Sequence, residues 1–178
     1  MADPSRLQAC LEDGDLRLEP LAERHREPLR AACAEDREIW DIYPHSMLGE
    51  HFDPSFAARL ALPYASLAIL LDGRPVGLTA YIRPDGVNAT VEIGGTYVVP
   101  SLRGGGLNGR VKRLMIEHAF ALGFRRVQFM VDERNARSQA AVLKLGARRE
   151  GTLRQDRVTW TGHVRNTVVF GLLREEWQ

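Results

Sequence analysis

The sequence contains few cysteines and no long apolar run, and each shortage excludes a class of protein. Its 178 residues include two cysteines, Cys10 and Cys33, too few for a disulfide-rich fold or a four-thiolate zinc site. No apolar run approaches the roughly 18 residues of a membrane helix. The first ten residues contain Asp3 and Pro4 and lack the apolar core of a signal peptide. We therefore expect a cytoplasmic protein with reduced thiols and no membrane association.

The chain also lacks an excess of either charge. It has 24 Lys+Arg against 23 Asp+Glu, which disfavours a nucleic-acid partner. The five histidines show no metal-ligand spacing, so we expect no metal. A hydrophobic content of 44% is too high for a disordered chain. The length suits one domain spanning residues 1–178.

The hydrophobic pattern alternates between a period of 2 and a period of 3.6 residues. It predicts strands at 16–21, 66–71, 75–82, 90–99, 126–131, 152–160 and 163–173. It predicts helices at 22–35, 107–122 and 135–145, with shorter helices near 35–40 and 54–62. Such an order indicates a mixed sheet with at least two helices packed on it, an α/β or α+β fold.

A glycine-rich loop is the most informative stretch. Three consecutive glycines follow Arg103, shortly after the strand that ends at Pro100, and a long helix begins next. Glycines let backbone amides converge on one point, and a helix N-terminus adds free N–H groups and a partial positive charge. The combination predicts an anion site, with phosphate the usual ligand.

The first turns of the following helix carry Arg110, Lys112 and Arg113, with no acid before Glu117. Cations at a helix N-terminus are unfavourable, and a bound polyphosphate would reverse that effect. The alternative is a glycine-rich turn followed by solvated cations.

The same loop matches a dinucleotide-binding pattern, which would indicate a nicotinamide-dependent oxidoreductase. Gly104, Gly106 and Gly109 fit G-x-G-x-x-G, and Asp132 ends the next strand. Against this, several residues separate Pro100 from the first glycine, and the preceding strands form a meander rather than crossovers.

At these residues the sequence resembles the GNAT superfamily of acetyl-CoA-dependent N-acetyltransferases, and more narrowly the RimJ/RimL-like branch. The loop Arg103-Gly-Gly-Gly106-Leu-Asn108 is similar to that family's pyrophosphate loop, except for Asn108 where Gly or Ala is usual. A second motif begins at Asn135-Ala-Arg-Ser138 and ends at Leu145-Gly146-Ala147. The resemblance implies a mostly antiparallel sheet flanked by helices, with splayed central strands, a C-terminal hairpin and a possible homodimer.

The resemblance also implies residues that bind the cofactor. The strand end at Val98 and Val99 would bond the pantetheine arm, and an N–H near Val98 would polarise the thioester carbonyl. Asn135 and Ser138 would touch acetyl-CoA. The amides expected to hold the pyrophosphate belong to Arg103, Gly104, Gly105, Gly106, Leu107 and Asn108.

Catalysis requires a neutral acceptor amine, and Glu92 is the candidate general base. Its gap to Pro100 is one residue longer than in many relatives. A bulge at Gly94-Gly95 would absorb the extra residue, and without it Glu92 would point to the other face. The alternative for Glu92 is a surface carboxylate paired with an arginine. Val142 stands where many relatives have a tyrosine acid, and Ser138 would protonate the thiolate instead. Asn135 and Ser138 also suit a plain helix cap.

Trp40 and Tyr43 are the preferred acceptor-binding pair, because they lie in the segment that borders the acceptor site in the family. Further aromatic candidates, for which core packing is the ordinary role, are Tyr64, Tyr81 and Tyr97, and Trp160 is expected in the core.

The acceptor is an amine-bearing small molecule or a protein N-terminus, and the sequence does not separate them. An acidic groove formed by Asp41, Glu50 and Asp53 would favour a polyamine or an aminoglycoside. A narrow apolar groove would favour a peptide end. A CoA-binding regulatory module without turnover is the remaining alternative.

Overall fold

Strands and helices alternate along the chain much as the hydrophobic pattern predicts. The computed structural model describes residues 2–61 and 64–177, apart from the side chain of Tyr64. The helices are α1 (Arg26–Ala34), α2 (Phe52–Leu60), α3 (Leu107–Ala121) and α4 (Ala136–Lys144). The strands are β1 (Leu11–Asp13), β2 (Leu16–Pro20), β3 (Tyr64–Leu71), β4 (Arg74–Asp85), β5 (Thr90–Val98), β6 (Arg126–Asp132), β7 (Arg148–Val158) and β8 (Val164–Leu173).

All eight strands form one sheet in the order β1-β2-β3-β4-β5-β6-β8-β7. Only β5 and β6 are parallel, while the other neighbouring pairs are antiparallel. The predicted mixed, mostly antiparallel sheet and the C-terminal hairpin are confirmed. The pattern missed β1, whose three residues are too few to show alternation.

The centre of the sheet opens into a wedge. Strands β5 and β6 pair only from Thr90–Glu92 to Arg126–Gln128 and then separate. On its other edge β5 carries a bulge, since Leu78 pairs with Tyr97 but Ala80 pairs with Gly94. Gly95 within the bulge has φ +58, a left-handed conformation that glycine adopts without strain. The bulge at Gly94-Gly95 that would absorb the extra residue is thus present.

Two hydrophobic clusters cover opposite faces of the sheet, because alternate strand residues point to opposite sides. Leu67 and Ile69 join the cluster that contains Val111 and Met115 of α3. Ala68 and Leu70 of the same strand join the cluster that contains residues of α1 and α2. The helices therefore form an outer layer on each side of the wedge.

The predictions for the aromatic residues Trp160 and Tyr64 have different outcomes. Trp160 was expected in the core, yet it is 39% exposed, because the turn of the β7–β8 hairpin projects it outward. Its indole Nε1 donates to the carbonyl of Trp40 at 2.8 Å. Pro28 lies in the first turn of α1, where a missing N–H is tolerated. The side chain of Tyr64 lies outside the described residues.

Across residues 2–61 and 64–177, no helix has the length and apolarity needed to cross a bilayer.

Candidate active site

A single cleft of about 1150 Å³ follows the wedge between β5 and β6. At one end it is bounded by the glycine loop and by the N-terminus of α4. At the other end it is bounded by α2 and the segment before it. Its middle is lined by Glu92, Gly94 and Thr96 of β5 and by Phe129 and Met130 of β6. The cleft thus runs along the sheet from the glycine loop to its other end, which is lined by residues of the segment 39–45 and of α2 and is called the second opening.

The glycine loop presents free backbone donors to this cleft. Gly104 and Gly106 have φ values of +83 and +88, and Gly106 is the N-cap of α3. A Cβ added at Gly104, Gly105 or Gly106 would meet no atom within 4 Å, so open space lies in front of the loop. Within the described part of the chain, no acceptor bonds the amides of Gly104 to Gly109. These donors and the helix dipole form a cradle that fits a phosphate group.

Arg103 differs from its expected role, because its polar groups are used inside the protein. Its amide donates to the carbonyl of Pro100 at 3.1 Å, so it does not join the cradle. Its guanidinium pairs with Asp36 and donates through Nε to the carbonyl of Val98 at 2.8 Å. Arg103 therefore ties the loop to the end of β5 rather than offering a cation to a ligand.

The backbone of Val98 and Val99 is also partly used. The Val99 amide donates to the carbonyl of Val76 at 2.9 Å, which leaves it no hydrogen for pantetheine. The Val98 carbonyl already accepts from Arg103, which leaves one of its lone pairs free. Of the two residues, Val98 borders the cleft and Val99 does not.

The two arginines at the start of α3 pair with acids of the protein itself, so they do not need a polyphosphate to offset their charge. Arg110 pairs with Asp13 at the end of β1 at 2.7 Å and with Asp15 in the following turn at 2.8 Å. Arg113 lies 3.7 Å from Glu117, one helical turn further on. The case for an anion site thus rests on the free amides of the loop.

Glu92 lies at the point where β5 and β6 separate. It is the last β5 residue paired with β6, opposite Gln128, and its side chain is 6% exposed. Arg83 of β4 donates to its carboxylate at 2.6 Å. The structure thus brings Glu92 to the cleft and also supplies the arginine partner of the alternative interpretation.

Lys112 is a cleft residue that the sequence interpretation missed. Its side chain is buried under the wedge, and Nζ donates to Thr96 Oγ1 at 2.5 Å. Burial lowers the pKa of Lys112 to about 7, although the nearby charge of Glu92 acts to raise it. A signal was present in the sequence, because residue 112 precedes Met115 and Ile116 by three and four positions, on the apolar face of α3.

Asn135 and Ser138 lie together at the N-terminus of α4, on the edge of the cleft. The Asn135 side chain accepts a hydrogen bond from the Ser138 amide at 3.0 Å, as predicted for a helix cap. The Ser138 hydroxyl is not needed for that bond and remains available to a ligand. Val142 is buried one turn later and offers no proton.

The second opening differs from both predicted grooves, the acidic one and the narrow apolar one. Tyr43 borders it, with its hydroxyl donating to the carbonyl of Thr96. Trp40 does not, because it is 0% exposed, stacked on Tyr97 at 4.8 Å and bonded to the carbonyl of Cys33. Tyr97 is likewise buried, as is Tyr81, whose hydroxyl donates to the carbonyl of Met115.

Arginines outnumber carboxylates in this part of the lining, although Glu92 and Asp132 pair with two of them. Asp53 is exposed and pairs with Arg26 and Arg30, and neither it nor Asp41 nor Glu50 is among the described lining residues. The lining instead includes four arginines and an apolar wall, namely Arg59, Arg83, Arg157, Arg165, Ile39, Ile42, Pro54, Ala58 and Ile82.

Buried Asp132 holds the basic side of the cleft in place. Arg134 bonds it at 2.8 Å and Arg165 lies 3.9 Å away. Burial acts to raise the pKa of Asp132, but its hydrogen bonds and the two guanidinium groups hold it below the ordinary value. In the described part of the chain, no cluster of three or more His, Cys, Asp or Glu could hold a metal ion.

Free amides that fit a phosphate, joined by a wedge to a second opening, suit an enzyme that moves a group from a phosphate-bearing carrier to a second substrate. The sequence profile of the acetyltransferase (GNAT) domain family matches residues 15–148. The chain belongs to this family. It is an acyltransferase whose fold supports acetyl transfer from acetyl-CoA. Membership of this family excludes the alternative of a dinucleotide-dependent oxidoreductase.

Solved structures agree with that assignment. The chain is 31% identical to a probable acetyltransferase (GNAT family) from Chromobacterium violaceum ATCC 12472, with 96% of this chain and 88% of that chain covered and a TM-score of 0.89. It is 26% identical to a GCN5-related N-acetyltransferase from Brucella melitensis, with 96% and 80% covered and a TM-score of 0.89.

A more distant similarity extends to Mycobacterium smegmatis RimJ, solved in complex with CoA-disulfide. The identity is 21%, with 94% of this chain and 87% of that chain covered and a TM-score of 0.79. At this identity the likeness concerns the fold. A comparison with curated proteins finds no match.

Proposed function

We propose that this protein is an N-acetyltransferase of the RimJ/RimL-like kind, in which a primary amine attacks the thioester of acetyl-CoA directly. The observation that carries the proposal is the single cleft that joins the free amides of the glycine loop to Glu92 at the wedge. A carrier bound at one end and an amine entering from the other would meet between β5 and β6.

The residues of the loop fit the pyrophosphate of acetyl-CoA. The amides of Gly104, Gly105, Gly106, Leu107 and Asn108 would bind it, because they are free and the α3 dipole reinforces them. Asn135 and Ser138 would border the arm of the carrier. When bound, acetyl-CoA supplies an activated acetyl group and a thiolate leaving group. RimJ from M. smegmatis, with its bound CoA-disulfide, supports this use of the fold.

Glu92 would accept the proton that the acceptor ammonium must lose, directly or through water. At pH 7 an ordinary lysine amine is neutral only about once in 2,500 molecules and an α-amine about once in ten, so a base helps the former more. Ser138 would donate a proton to the leaving thiolate, because its hydroxyl is free of the α4 cap.

The lining of the second opening limits the classes of acceptor amine that would fit. Arginines outnumber carboxylates in that lining, which disfavours a polycation, and the apolar wall suits a hydrocarbon or peptide segment. We therefore infer that the acceptor is a primary amine flanked by apolar or anionic groups, either a protein N-terminus or a small molecule, rather than a polyamine or an aminoglycoside. Tyr43 would contact it.

We further propose that residues 1–178 form one catalytic domain that works in the cytoplasm as a homodimer. Exposed apolar side chains on the β7–β8 hairpin, at Leu153, Val158 and Val164, support an association surface there. Light scattering at micromolar concentration would show a dimer, and a monomer at all concentrations would contradict this part of the proposal.

The experiment that tests the activity measures CoA thiol release from acetyl-CoA with a panel of amines. The panel includes peptides with free N-termini, amino-acid amides, amino acids and polyamines. We expect turnover with peptide or amino-acid amines and little with polyamines. Glu92→Gln should lower the rate by about 10²- to 10⁴-fold, the usual contribution of a general base.

Glu150→Gln is the matched control. Glu150 also pairs with an arginine, Arg126 at 2.5 Å, but on β7 away from the cleft. An unchanged rate in Glu150→Gln separates loss of the base from loss of an ion pair. Binding of acetyl-CoA without transfer to any amine, together with an unaffected Glu92→Gln, would instead favour a regulatory module.

A further inference from the structure

The cleft already contains an amine. Lys112 extends from α3 to the underside of the wedge, where its Nζ lies beside Thr96 of β5 and 6.0 Å from the ring centroid of Phe129 of β6. It borders the same cleft as the glycine loop and Ser138. Nζ is thus placed between the two strands, in the same cleft that the proposed carrier would occupy.

The surroundings of Lys112 favour a neutral amine. Among the described residues, Thr96 is its hydrogen-bond partner, and no carboxylate lies within ion-pair distance of Nζ. Thr96 is held in turn by Thr79 of β4 at 2.7 Å. Glu92 of β5 is the charged group that acts on Lys112, while β4 and β6 present Thr79 and Phe129, which are uncharged.

A neutral amine is a nucleophile, and an ammonium is not. With a pKa of about 7, close to half of the Lys112 side chains are neutral near neutral pH. Because the side chain is buried, a donor in bulk solvent does not reach it. An acyl donor bound in the cleft would.

We propose that Lys112 is a self-acetylation site, whose Nζ takes the acetyl group of acetyl-CoA bound in the cleft when no acceptor amine is present. The inference rests on the proposed binding of acetyl-CoA. Nζ attacks the thioester carbonyl, the N–C bond forms and the C–S bond breaks. The CoA thiolate leaves and takes up the proton released from nitrogen, so an amide and CoA are the products.

Acetylation of Lys112 would be self-limiting. It replaces a titratable amine with a neutral amide and adds the volume of an acetyl group beside Thr96, inside a packed wedge. The nitrogen of the resulting amide is no longer a nucleophile. Each molecule is therefore expected to be acetylated once here.

The composition of the chain makes the test direct, since Lys112 and Lys144 are the only lysines. Lys144 lies exposed at the end of α4, on the rim of the same cleft, and serves as the internal control for a solvated lysine. The full-length protein is incubated with acetyl-CoA and no acceptor, and acetylation at each lysine is followed by peptide mass mapping. Acetyl-CoA binding is measured in parallel from the rise in melting temperature.

We expect Lys112 to be acetylated at least about 100-fold faster than Lys144 near pH 7, because an ordinary lysine is rarely neutral there. The Lys112 rate should level off above about pH 8, while the Lys144 rate continues to rise towards pH 10. Lys144→Arg should leave the Lys112 rate unchanged. Gly106→Glu, which fills the cradle, should abolish it.

Two results would overturn the inference while leaving the proposed function intact. One is a clear rise in melting temperature with acetyl-CoA while Lys112 stays unmodified or reacts no faster than Lys144. The other is equal Lys112 acetylation in Gly106→Glu, which would show reaction with free donor. If acetyl-CoA does not bind at all, the proposed function fails and this inference fails with it.

Discussion

Gly106→Glu tests the cradle most directly, because it changes the loop without touching the core. Gly106 has φ +88 and open space in front of its missing Cβ. A side chain there extends into the region where a pyrophosphate would lie. The added Cβ meets no heavy atom within 4 Å beyond its chain neighbours and its own helix, so the fold can accommodate the first atom of the new side chain.

Gly106→Glu is expected to change the affinity for acetyl-CoA much more than the stability of the fold. A non-glycine residue in the left-handed region costs about 1–2 kcal/mol. A carboxylate at a helix N-terminus recovers up to about 1 kcal/mol. The melting temperature should therefore fall by less than about 8 °C. For binding, one charge repelling another at about 6 Å costs roughly 2.8 kcal/mol at an effective dielectric of about 20, which is about a 100-fold loss of affinity.

The assay is a titration with acetyl-CoA followed by the melting temperature, which rises with ligand concentration relative to affinity. Gly73→Glu is the matched control, because Gly73 has φ +76 and open space but lies in the β3–β4 turn, away from the cleft. Gly106→Ala introduces the strain without the charge. Wild-type affinity in Gly106→Glu would refute the placement of the phosphates.

Three further predictions concern stability and pH. Trp40→Ala should destabilise the protein by about 3–5 kcal/mol in urea unfolding, because it leaves a cavity and an unpaired carbonyl in the core. Asn135→Ala should cost about 1 kcal/mol by removing the α4 cap, whereas Ser138→Ala should cost under about 0.5 kcal/mol, because the capped amide remains. Lys112→Met should have a higher free energy of unfolding than wild type near pH 7. This difference between the two free energies should shrink by about 3–5 kcal/mol towards pH 10. The folded state holds the Lys112 proton less tightly than the unfolded state, so wild-type stability rises with pH between the pKa of about 7 and the ordinary lysine value.

Each of these has its own control. Val87→Ala, at an 81% exposed position, should change stability by less than about 0.5 kcal/mol. A similarly small effect of Trp40→Ala would contradict its burial. Lys144→Met should show no pH-dependent difference from wild type. A difference for Lys112→Met that stays constant from pH 7 to pH 10 would show an ordinary, solvated lysine.

Local sequence patterns were enough to predict most of the helices and strands and to single out the glycine loop. The period-2 and period-3.6 segments marked most strands and helices, because each depends on neighbours within one turn or one pleat. Asn135 capped α4 as expected for the same reason. The glycines beside a helix start marked the loop whose free amides form the proposed anion cradle, since the donors are backbone atoms that need no distant partner.

Long-range contacts decided what the polar side chains do. Arg103 binds Asp36, 67 residues away, instead of facing a ligand. Arg110 binds Asp13, 97 residues away, instead of compensating a phosphate. A cation in a sequence has many candidate partners, and only the folded chain selects among them.

The sequence by itself therefore determined the family, the order of the elements and the position of the cradle. The tertiary structure alone decided that Trp40 is core, that arginines outnumber carboxylates in the second opening, and that Lys112 lies buried at the wedge. These depend on how α1, α2 and α3 pack on a splayed sheet. Burial and charge at a site are properties of the packed surfaces, and no single stretch of sequence contains them.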